Sequence, residues 1–162
     1  MKGLKTYKGT IDSVGPTEKW SDVGQLKFEV TTNLVIKTED NQLKVIKYSR
    51  APGIVDNYIS PGTSGTFHLI ELPSGLSLVI AIECSDGMKI SDMDGITSEY
   101  NTYKKAKSDG TGLLFIGALT APIIVGFFLL ILGFSFRKTA KKFLAFTPDE
   151  VNSYVESQGI SS

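Results

Sequence analysis

The sequence predicts a mainly β fold: a small antiparallel β-barrel or sandwich, of the oligonucleotide-binding or SH3-like kind, followed by one transmembrane helix and a short C-terminal amphipathic helix. Three observations lead to this prediction. Apolar and polar residues alternate with a period of two from Lys5 to Cys84. Residues 112–134 carry no charged side chain. Residues 146–151 combine several signals for the start of a helix.

These patterns divide the chain of 162 residues into four segments. We expect an antiparallel β-domain at 1–84, a polar juxtamembrane connector at 85–110, a membrane segment at 111–136, and a basic flank with a short C-terminal helix at 137–162. This length leaves room for one soluble domain beside the membrane segment.

The clearest strand lies at 25–30, where Leu26, Phe28 and Val30 point to one face and polar residues point to the other. We expect this strand to continue through 34–36 after a break at residues 32–33. A turn at 38–41 then leads into a partner strand at 43–50, so the pattern predicts a hairpin.

Strands are also expected on either side of that hairpin. A first strand is predicted at 6–14 with a bend at Gly9, and the loop after it holds the only tryptophan, Trp20, which we expect to pack over the end of the barrel. Residues 66–72 and 76–84 form a second predicted hairpin around the turn Pro73-Ser74-Gly75. The alternate apolar residues of its last strand are expected to share one face; they are Leu76, Leu78, Ile80, Ile82 and Cys84.

The uncharged stretch from Gly112 to Phe134 has 23 residues. As a helix it would be about 35 Å long, which is enough to cross a hydrocarbon core of roughly 30 Å. Pro122 removes a backbone donor near its middle, so it either kinks one spanning helix or marks the turn of a re-entrant hairpin. A single kinked crossing is our first interpretation, and the hairpin is the alternative.

Basic residues flank the membrane segment on both sides and nearly balance, with three lysines among residues 104–107 before it and four cations after it. The four that follow are expected to contact lipid headgroups; they are Arg137, Lys138, Lys141 and Lys142. The N-terminus lacks a signal-peptide pattern, so we expect the β-domain to face the cytoplasm at a plasma or inner membrane.

Small residues within the membrane segment predict a helix-packing face. Gly117 and Ala121 are four residues apart, while Gly126 and Gly133 lie a heptad apart. Such positions let two helices approach closely, so we expect self-association or docking to a membrane protein through this face.

The C-terminal helix is predicted from residues 146–151. Thr147 is the expected N-cap, Pro148 the first helical residue, and Glu150 the partner in a capping box. Gly159 is the expected stop. Its narrow apolar stripe needs a surface to lie on, which is the bilayer, the barrel or another protein.

Little in the sequence indicates catalysis or metal binding. The only histidine, His68, is expected on a strand face opposite to Glu71, so these two residues make no acid–base pair. Around Gly95 the spacing partly matches a calcium loop, but Ile90 and Asn101 occupy positions that need carboxylates. We therefore expect no enzyme activity, no cofactor and no metal.

The 17 basic and 17 acidic residues give a net charge of zero, which argues against a nucleic-acid partner. Our first hypothesis is a non-catalytic, membrane-anchored β-domain protein that acts as a binding or assembly module, with the lipid bilayer and a membrane protein or a second copy as partners. The alternatives are a homo-oligomeric structural or pore-type membrane protein and a membrane-bound hydrolase with an unrecognised site.

Overall fold

The computed structural model describes residues 3–21, 27–119 and 124–160. Within these ranges the chain forms seven strands, one 3₁₀ helix at Gly53–Tyr58 and three α-helices. The strands are β1 (Leu4–Ser13), β2 (Thr17–Ser21), β3 (Lys27–Thr38), β4 (Leu43–Arg50), β5 (Ser64–Glu71), β6 (Ser77–Cys84) and β7 (Lys89–Ser91). The helices are α1 (Met93–Leu119), α2 (Ile124–Phe143) and α3 (Pro148–Ser157).

Five of the strands close into a small β-barrel, as the sequence predicts. Their order around the barrel is β1–β5–β6–β4–β3, and β1 closes the ring because it pairs with both β5 and β3. The contact between β4 and β6 is parallel, whereas the other pairs of the ring are antiparallel. β2 extends the sheet beyond β3, and β7 pairs with β6.

Glycine at position 9 is required by a close approach of strands in the ring. Gly9 lies opposite Gly65 of β5 and also opposite Thr38 of β3, so β1 changes partner at this residue. A Cβ atom there would overlap the carbonyl of Lys37. This position bends β1 from one neighbour to the other, in line with the predicted bend.

Two apolar clusters organise the interior. One draws on β1, β3, β4, β5, β6, β7 and the 3₁₀ helix, and it fills the barrel with side chains such as Leu34, Phe67 and Ile82. The other lies between the sheet and the helices, and it joins Phe28 and Leu78 of the strands to residues of α1, α2 and α3. The helices therefore form a second layer against the β-domain.

Strand β6 does not keep the regular alternation that its sequence predicts. Leu78 and Ile80 contribute to the cluster beneath the helices, but Ile82 contributes to the barrel interior. The cause is a bulge: His68 pairs with Ala81 and Leu69 with Val79, so β6 holds one extra residue at this point. An extra residue reverses the faces of all that follow, and the prediction of one shared face through Cys84 is therefore wrong beyond Ile80.

The segment around Trp20 is a strand and not the predicted loop. Trp20 pairs with Phe28 across β2 and β3, and its ring lies 4.7 Å from that of Tyr48. β3 runs through residues 32–33 without a break, although Asn33 has a positive φ of 49°. Cross-strand aromatic contacts stabilise this extra strand, and they are invisible to a local pattern.

The boundary predicted between a polar connector and a membrane helix falls inside one continuous helix. α1 begins at Met93 and runs through the polar residues into the apolar stretch, ending at Leu119. α2 begins at Ile124 and packs against α1 in the opposite direction. The first interpretation of the uncharged stretch, one kinked helix, is wrong, because α1 and α2 pack antiparallel as a helical hairpin, which was the alternative.

The C-terminal helix is confirmed in detail. α3 spans Pro148–Ser157, and both hydrogen bonds of the capping box between Thr147 and Glu150 are present. Gly159 adopts a φ of 67°, the left-handed conformation expected of a helix stop. The surface that α3 covers is the β-domain, because Val151 and Val155 are buried in the cluster shared with the strands.

Candidate functional site

Glycines bring the two helices of the hairpin into close contact. A Cβ atom on Gly117 would lie 2.8 Å from the backbone nitrogen of Leu130 and 3.0 Å from the carbonyl oxygen of Gly126. About two helical turns earlier in α1, a Cβ atom on Gly110 would lie 3.0 Å from the carbonyl oxygen of Gly133. Seven residues forward along α1 correspond to seven residues back along α2, which defines the antiparallel pairing.

The end of the hairpin away from the β-domain exposes large apolar side chains on both helices. Phe115 and Leu119 of α1 are each 70% exposed, and Phe134 of α2 is 65% exposed. Exposed aromatic and aliphatic side chains on neighbouring helices make a contiguous apolar surface, which soluble domains rarely present. We call this surface the apolar tip; its named members are Phe115, Leu119, Phe128, Ile131, Leu132 and Phe134.

Three aromatic rings fix the base of the hairpin to the β-domain. The rings of Tyr103 in α1 and Phe143 in α2 stack with their centroids 4.8 Å apart and an interplanar angle of 20°. Phe28 of β3 meets Phe143 edge-on at 5.5 Å. Burying three aromatic side chains at one point contributes several kcal/mol, on the order of 2 to 3 each.

A polar network lies beside these rings. Arg50 donates from Nε to Oε1 of Glu99 at 2.7 Å, and the guanidinium lies 5.4 Å from the centre of the Phe28 ring. Tyr103 donates its hydroxyl to Oε2 of Glu99 at 2.9 Å. Burial and the neighbouring Glu99 carboxylate raise the pKa of Tyr103 well above its ordinary range. The network joins β4 to α1 and keeps Tyr103 protonated as a donor.

Asp92 fixes the direction in which α1 leaves the sheet. Its Oδ1 accepts a hydrogen bond from the backbone N–H of Gly95 at 2.7 Å, which is an N-cap contact at the start of α1. Its Oδ2 accepts from the N–H of Ile54 in the 3₁₀ helix at 2.9 Å. Both carboxylate oxygens are therefore engaged with backbone donors, and Asp92 acts as a structural cap.

His68 joins β5 to α3 in the buried layer. Its Nδ1 lies 2.8 Å from the hydroxyl of Tyr154, and its Nε2 lies 3.3 Å from Oε1 of Glu83 without hydrogen-bond geometry. Burial lowers the pKa of His68, and the repulsion from Lys89 adds to this effect, while Glu83 acts in the opposite direction. A histidine that is 2% exposed has no access to a substrate, so its role is to hold α3 in place.

The basic residues lie at the base of the hairpin, between the apolar tip and the β-domain. A Cβ on Gly110 would lie 3.0 Å from the backbone nitrogen of Arg137, so the basic stretches of α1 and α2 are side by side. Lys138, Lys141 and Lys142 are exposed, and Arg137 is half-buried. The lysines of α1 at 104, 105 and 107 belong to the same end of the hairpin.

Of the predicted helix-packing face, the structure places Gly117, Gly126 and Gly133 between α1 and α2 of one molecule. The close approach that the sequence analysis expected between two proteins thus occurs within the hairpin. Ala121 and Pro122 lie outside the described residues.

Sequence reasoning missed the residues that attach the hairpin to the β-domain. Arg50 and Glu99 are 49 positions apart, and no local pattern relates them. The sequence contains a weak signal for the role of Asp92, because an aspartate at an N-cap typically accepts a hydrogen bond from the backbone N–H three residues later. Ile90 and Ser91 are in the short strand β7, so the residues around Gly95 start a helix and do not form a calcium loop.

Concave surfaces on the β-domain are shallow. A groove of about 290 Å³ near the Gly9–Gly65 contact includes Lys8, Glu39 and Cys84, and burial raises the pKa of the Cys84 thiol. A raised thiol pKa disfavours the reactive thiolate. Among residues 3–21, 27–119 and 124–160, no group of three His, Cys, Asp or Glu side chains is placed to hold a metal ion.

In the part of the chain that the structure describes, no helix is both long enough and apolar enough to cross a membrane. Comparison with protein-family models, with curated proteins and with solved structures finds no match to this chain.

Proposed function

We propose that this protein is a membrane-anchored β-domain protein, in which the α1–α2 hairpin inserts into one leaflet and the β-domain serves as a non-catalytic binding or assembly module. The observation that carries the proposal is the apolar tip. Phe115 and Phe134 are exposed on different helices of the same hairpin, and no charged residue lies between Gly112 and Phe134. Burial of such a surface in a hydrocarbon phase is favourable, and the lack of charge on this part of both helices of the hairpin favours this phase as its environment.

The length of the hairpin fits insertion to about the middle of the bilayer. Asp109 is the last charged residue of α1, so the uncharged part of this helix runs from Gly110 to Leu119 and, at about 1.5 Å per residue, is roughly 15 Å long. The corresponding part of α2, from Ile124 to Phe136, is about 20 Å long by the same measure. Half of a hydrocarbon core is about 15 Å, so the hairpin would occupy one leaflet.

Helical pairing meets the main requirement for residing in lipid. Backbone N–H and C=O groups within α1 and α2 are satisfied inside each helix, as a hydrocarbon environment demands. At Gly117 and Gly133 the backbones of the two helices approach closely, as in the packing of membrane helices through small residues. An inserted hairpin would place both basic flanks on the same side of the membrane, which would account for the nearly equal numbers of basic residues in the two flanks.

The proposed side is the cytoplasmic face of a plasma or inner membrane, because positively charged flanks favour that side. Both the β-domain and α3 would then be cytoplasmic. The barrel, with β1 closing the ring and a parallel β4–β6 contact, supports the oligonucleotide-binding type over the SH3-like type. The fold type alone does not identify a ligand, and the net charge of zero argues against a nucleic-acid partner.

The role of a binding or assembly module rests on the way in which polar groups are used. Among the described residues, the single histidine is buried against Tyr154, and the carboxylates of Asp92 and Glu99 are engaged in structural contacts. A scaffold rigidly attached to the membrane, with exposed apolar positions on β4 at Leu43 and Val45, suits recruitment of a protein partner.

Vesicle flotation of the full chain tests the proposal. We expect the protein to float with liposomes and to remain bound after washing with alkaline carbonate, which removes peripheral proteins. Replacing Phe115 and Phe134 with Asp should abolish this binding, since a charged residue in the hydrocarbon costs on the order of 3 kcal/mol.

A matched control replaces Leu43 and Val45 with Asp, because these side chains are equally apolar and are 58% and 61% exposed on the β-domain. This variant should bind liposomes as the parent protein does. Carbonate-resistant binding by the Phe115/Phe134 variant, or a parent protein that stays unbound and monodisperse without detergent, would overturn the proposal.

A further inference from the structure

Seven basic residues surround the base of the hairpin, and we call them the basic collar. Three belong to α1 and four to α2, and the antiparallel packing brings the two groups together. The members of the basic collar are Lys104, Lys105, Lys107, Arg137, Lys138, Lys141 and Lys142.

The level of the basic collar is set by the contacts of Gly110. Because Arg137 lies beside Gly110, the residues that precede Gly110 in α1 lie beside those that follow Arg137 in α2. Tyr103 stacks on Phe143 further along the same pair of helices, so the lysines between Tyr103 and Gly110 run beside the stretch from Arg137 to Phe143. The apolar tip begins directly above, with Phe134 as its lowest exposed member. The positive charge thus forms a band where the uncharged surface ends.

The cations of the basic collar are not neutralised by the protein. Five of them are exposed, and Lys107 and Arg137 are half-buried. Within the described ranges, no ion pair joins any of the seven to a carboxylate. Arg50, close to the same base, is by contrast held by Glu99. Within the described helical stretches 104–119 and 124–142, Asp109 is the only acidic residue beside the seven cations, so these stretches carry a net charge of +6.

We propose that the basic collar binds the phosphate groups of anionic phospholipids and thereby directs the protein to negatively charged membranes. The inference rests on the proposed function, because the collar reaches headgroups only if the apolar tip is inserted. Long lysine and arginine stems extend along the helices toward the interface and place their charged ends among the phosphates. A lipid is favoured over a soluble phosphate because the cations of both helices lie in one band, about 8 Å long by the helical rise, that directly adjoins the apolar surface.

The expected selectivity is large. Each lysine or arginine near an anionic surface strengthens binding about fivefold, and this attraction weakens as salt screens it. The five exposed members of the basic collar should therefore give an advantage of well over tenfold for anionic vesicles at low salt. High salt should reduce the preference without releasing the inserted hairpin.

The test measures partitioning of the full chain onto two kinds of liposome, phosphatidylcholine alone and phosphatidylcholine with phosphatidylglycerol. The collar variant replaces Lys104, Lys105, Lys138 and Lys141 with Gln. All four side chains are exposed, so folding should be retained, and circular dichroism checks it. The matched control replaces four exposed lysines of the β-domain with Gln, at positions Lys19, Lys37, Lys44 and Lys47.

The parent protein and the β-domain control should prefer the anionic liposomes by at least about tenfold, and the collar variant should lose most of this preference and keep only the part that the three remaining cations supply. Two results would overturn the inference while leaving the proposed function intact: equal binding of the parent protein to both liposomes, or the same loss of preference in the β-domain control. Absence of binding to either liposome would overturn the proposed function itself.

Discussion

The ring of Tyr103 in α1 stacks on the ring of Phe143 in α2 with the centroids 4.8 Å apart, and Phe28 of the β-domain meets Phe143 edge-on. This contact is where the hairpin and the sheet become one structure. Tyr103 and Phe143 lie at the end of the hairpin opposite to the apolar tip. The β-domain is consequently held at a fixed position relative to the apolar tip.

Replacing Phe143 with Ala should therefore loosen both helices from the sheet at once. The side chain is 2% exposed, and removing a buried phenyl ring costs about 3 to 5 kcal/mol. We expect a lower midpoint of thermal unfolding and earlier proteolysis at the base of α1. Tyr103→Phe is the comparison, since it keeps the ring and removes only the hydrogen bond to Glu99, which costs on the order of 1 to 2 kcal/mol. Equal losses from both variants would contradict the stacking account.

The packing of α1 against α2 predicts opposite effects on stability when two glycines of α1 are replaced with alanine. Gly117→Ala should destabilise the hairpin, because the new Cβ meets the backbone of Leu130 at 2.8 Å. Overpacking of this kind costs about 1 to 3 kcal/mol. Gly112→Ala should be neutral or stabilising by up to about 1 kcal/mol, since nothing lies within 4 Å of its Cβ and alanine favours helix. Thermal unfolding in mild detergent compares them, and equal shifts would show that α1 and α2 are not packed through Gly117.

Asp92 should behave as a cap and not as a metal ligand. Asp92→Ala removes the acceptor for Gly95 and for Ile54, and loss of an N-cap costs about 0.5 to 2 kcal/mol. Asp92→Asn keeps one acceptor oxygen and should lose less. Chemical denaturation measures both, with and without added calcium. A stability increase on adding calcium to the parent protein would contradict the structural role.

Stability should fall in mildly acidic solution because of His68. Burial lowers the pKa of His68 from its ordinary value of about 6.5, so the unfolded chain binds more protons than the native one as pH drops below that value. The contribution of neutral His68 is complete above about pH 6.5 and is lost progressively below it. Denaturation at a series of pH values measures this slope.

Two variants separate the histidine from its neighbours. His68→Gln should flatten the slope between neutral and mildly acidic pH, because the titrating group is gone. Tyr154→Phe removes the hydroxyl 2.8 Å from Nδ1 but leaves His68 buried, so the slope should persist. Glu83 and Lys89 are the charged groups that face His68 and are unchanged in both variants. A slope unaffected by His68→Gln would assign the pH dependence to another group.

Local signals predicted well those elements whose cause is local. The capping box at Thr147 and the turn before β4 depend on residues within a few positions, and both were predictable. The reversal of faces along β6 depends on a bulge opposite His68, and the extra strand β2 depends on pairing of Trp20 with Phe28. Both need a partner strand that the local pattern does not identify.

The hairpin of α1 and α2 also depends on contacts between residues that a local sequence pattern does not relate. A run of 23 uncharged residues has one composition whether it forms one helix or an antiparallel pair. Gly117 and Gly133 contact the other helix of the same chain, whereas the sequence pattern predicted that they pack against a second protein. The contact between Arg50 and Glu99 was not predicted for the same reason, because these residues meet only when the sheet and α1 have formed.

Protease accessibility of tags at the two ends of the chain, in sealed vesicles of one orientation, tests the central claim most directly. If the hairpin enters and leaves one leaflet, the tag before β1 and the tag after α3 lie on the same side. Both tags should then be digested together, or both protected together, in every preparation. Digestion of one tag with full protection of the other, reversed when the vesicles are inverted, would contradict the hairpin anchor.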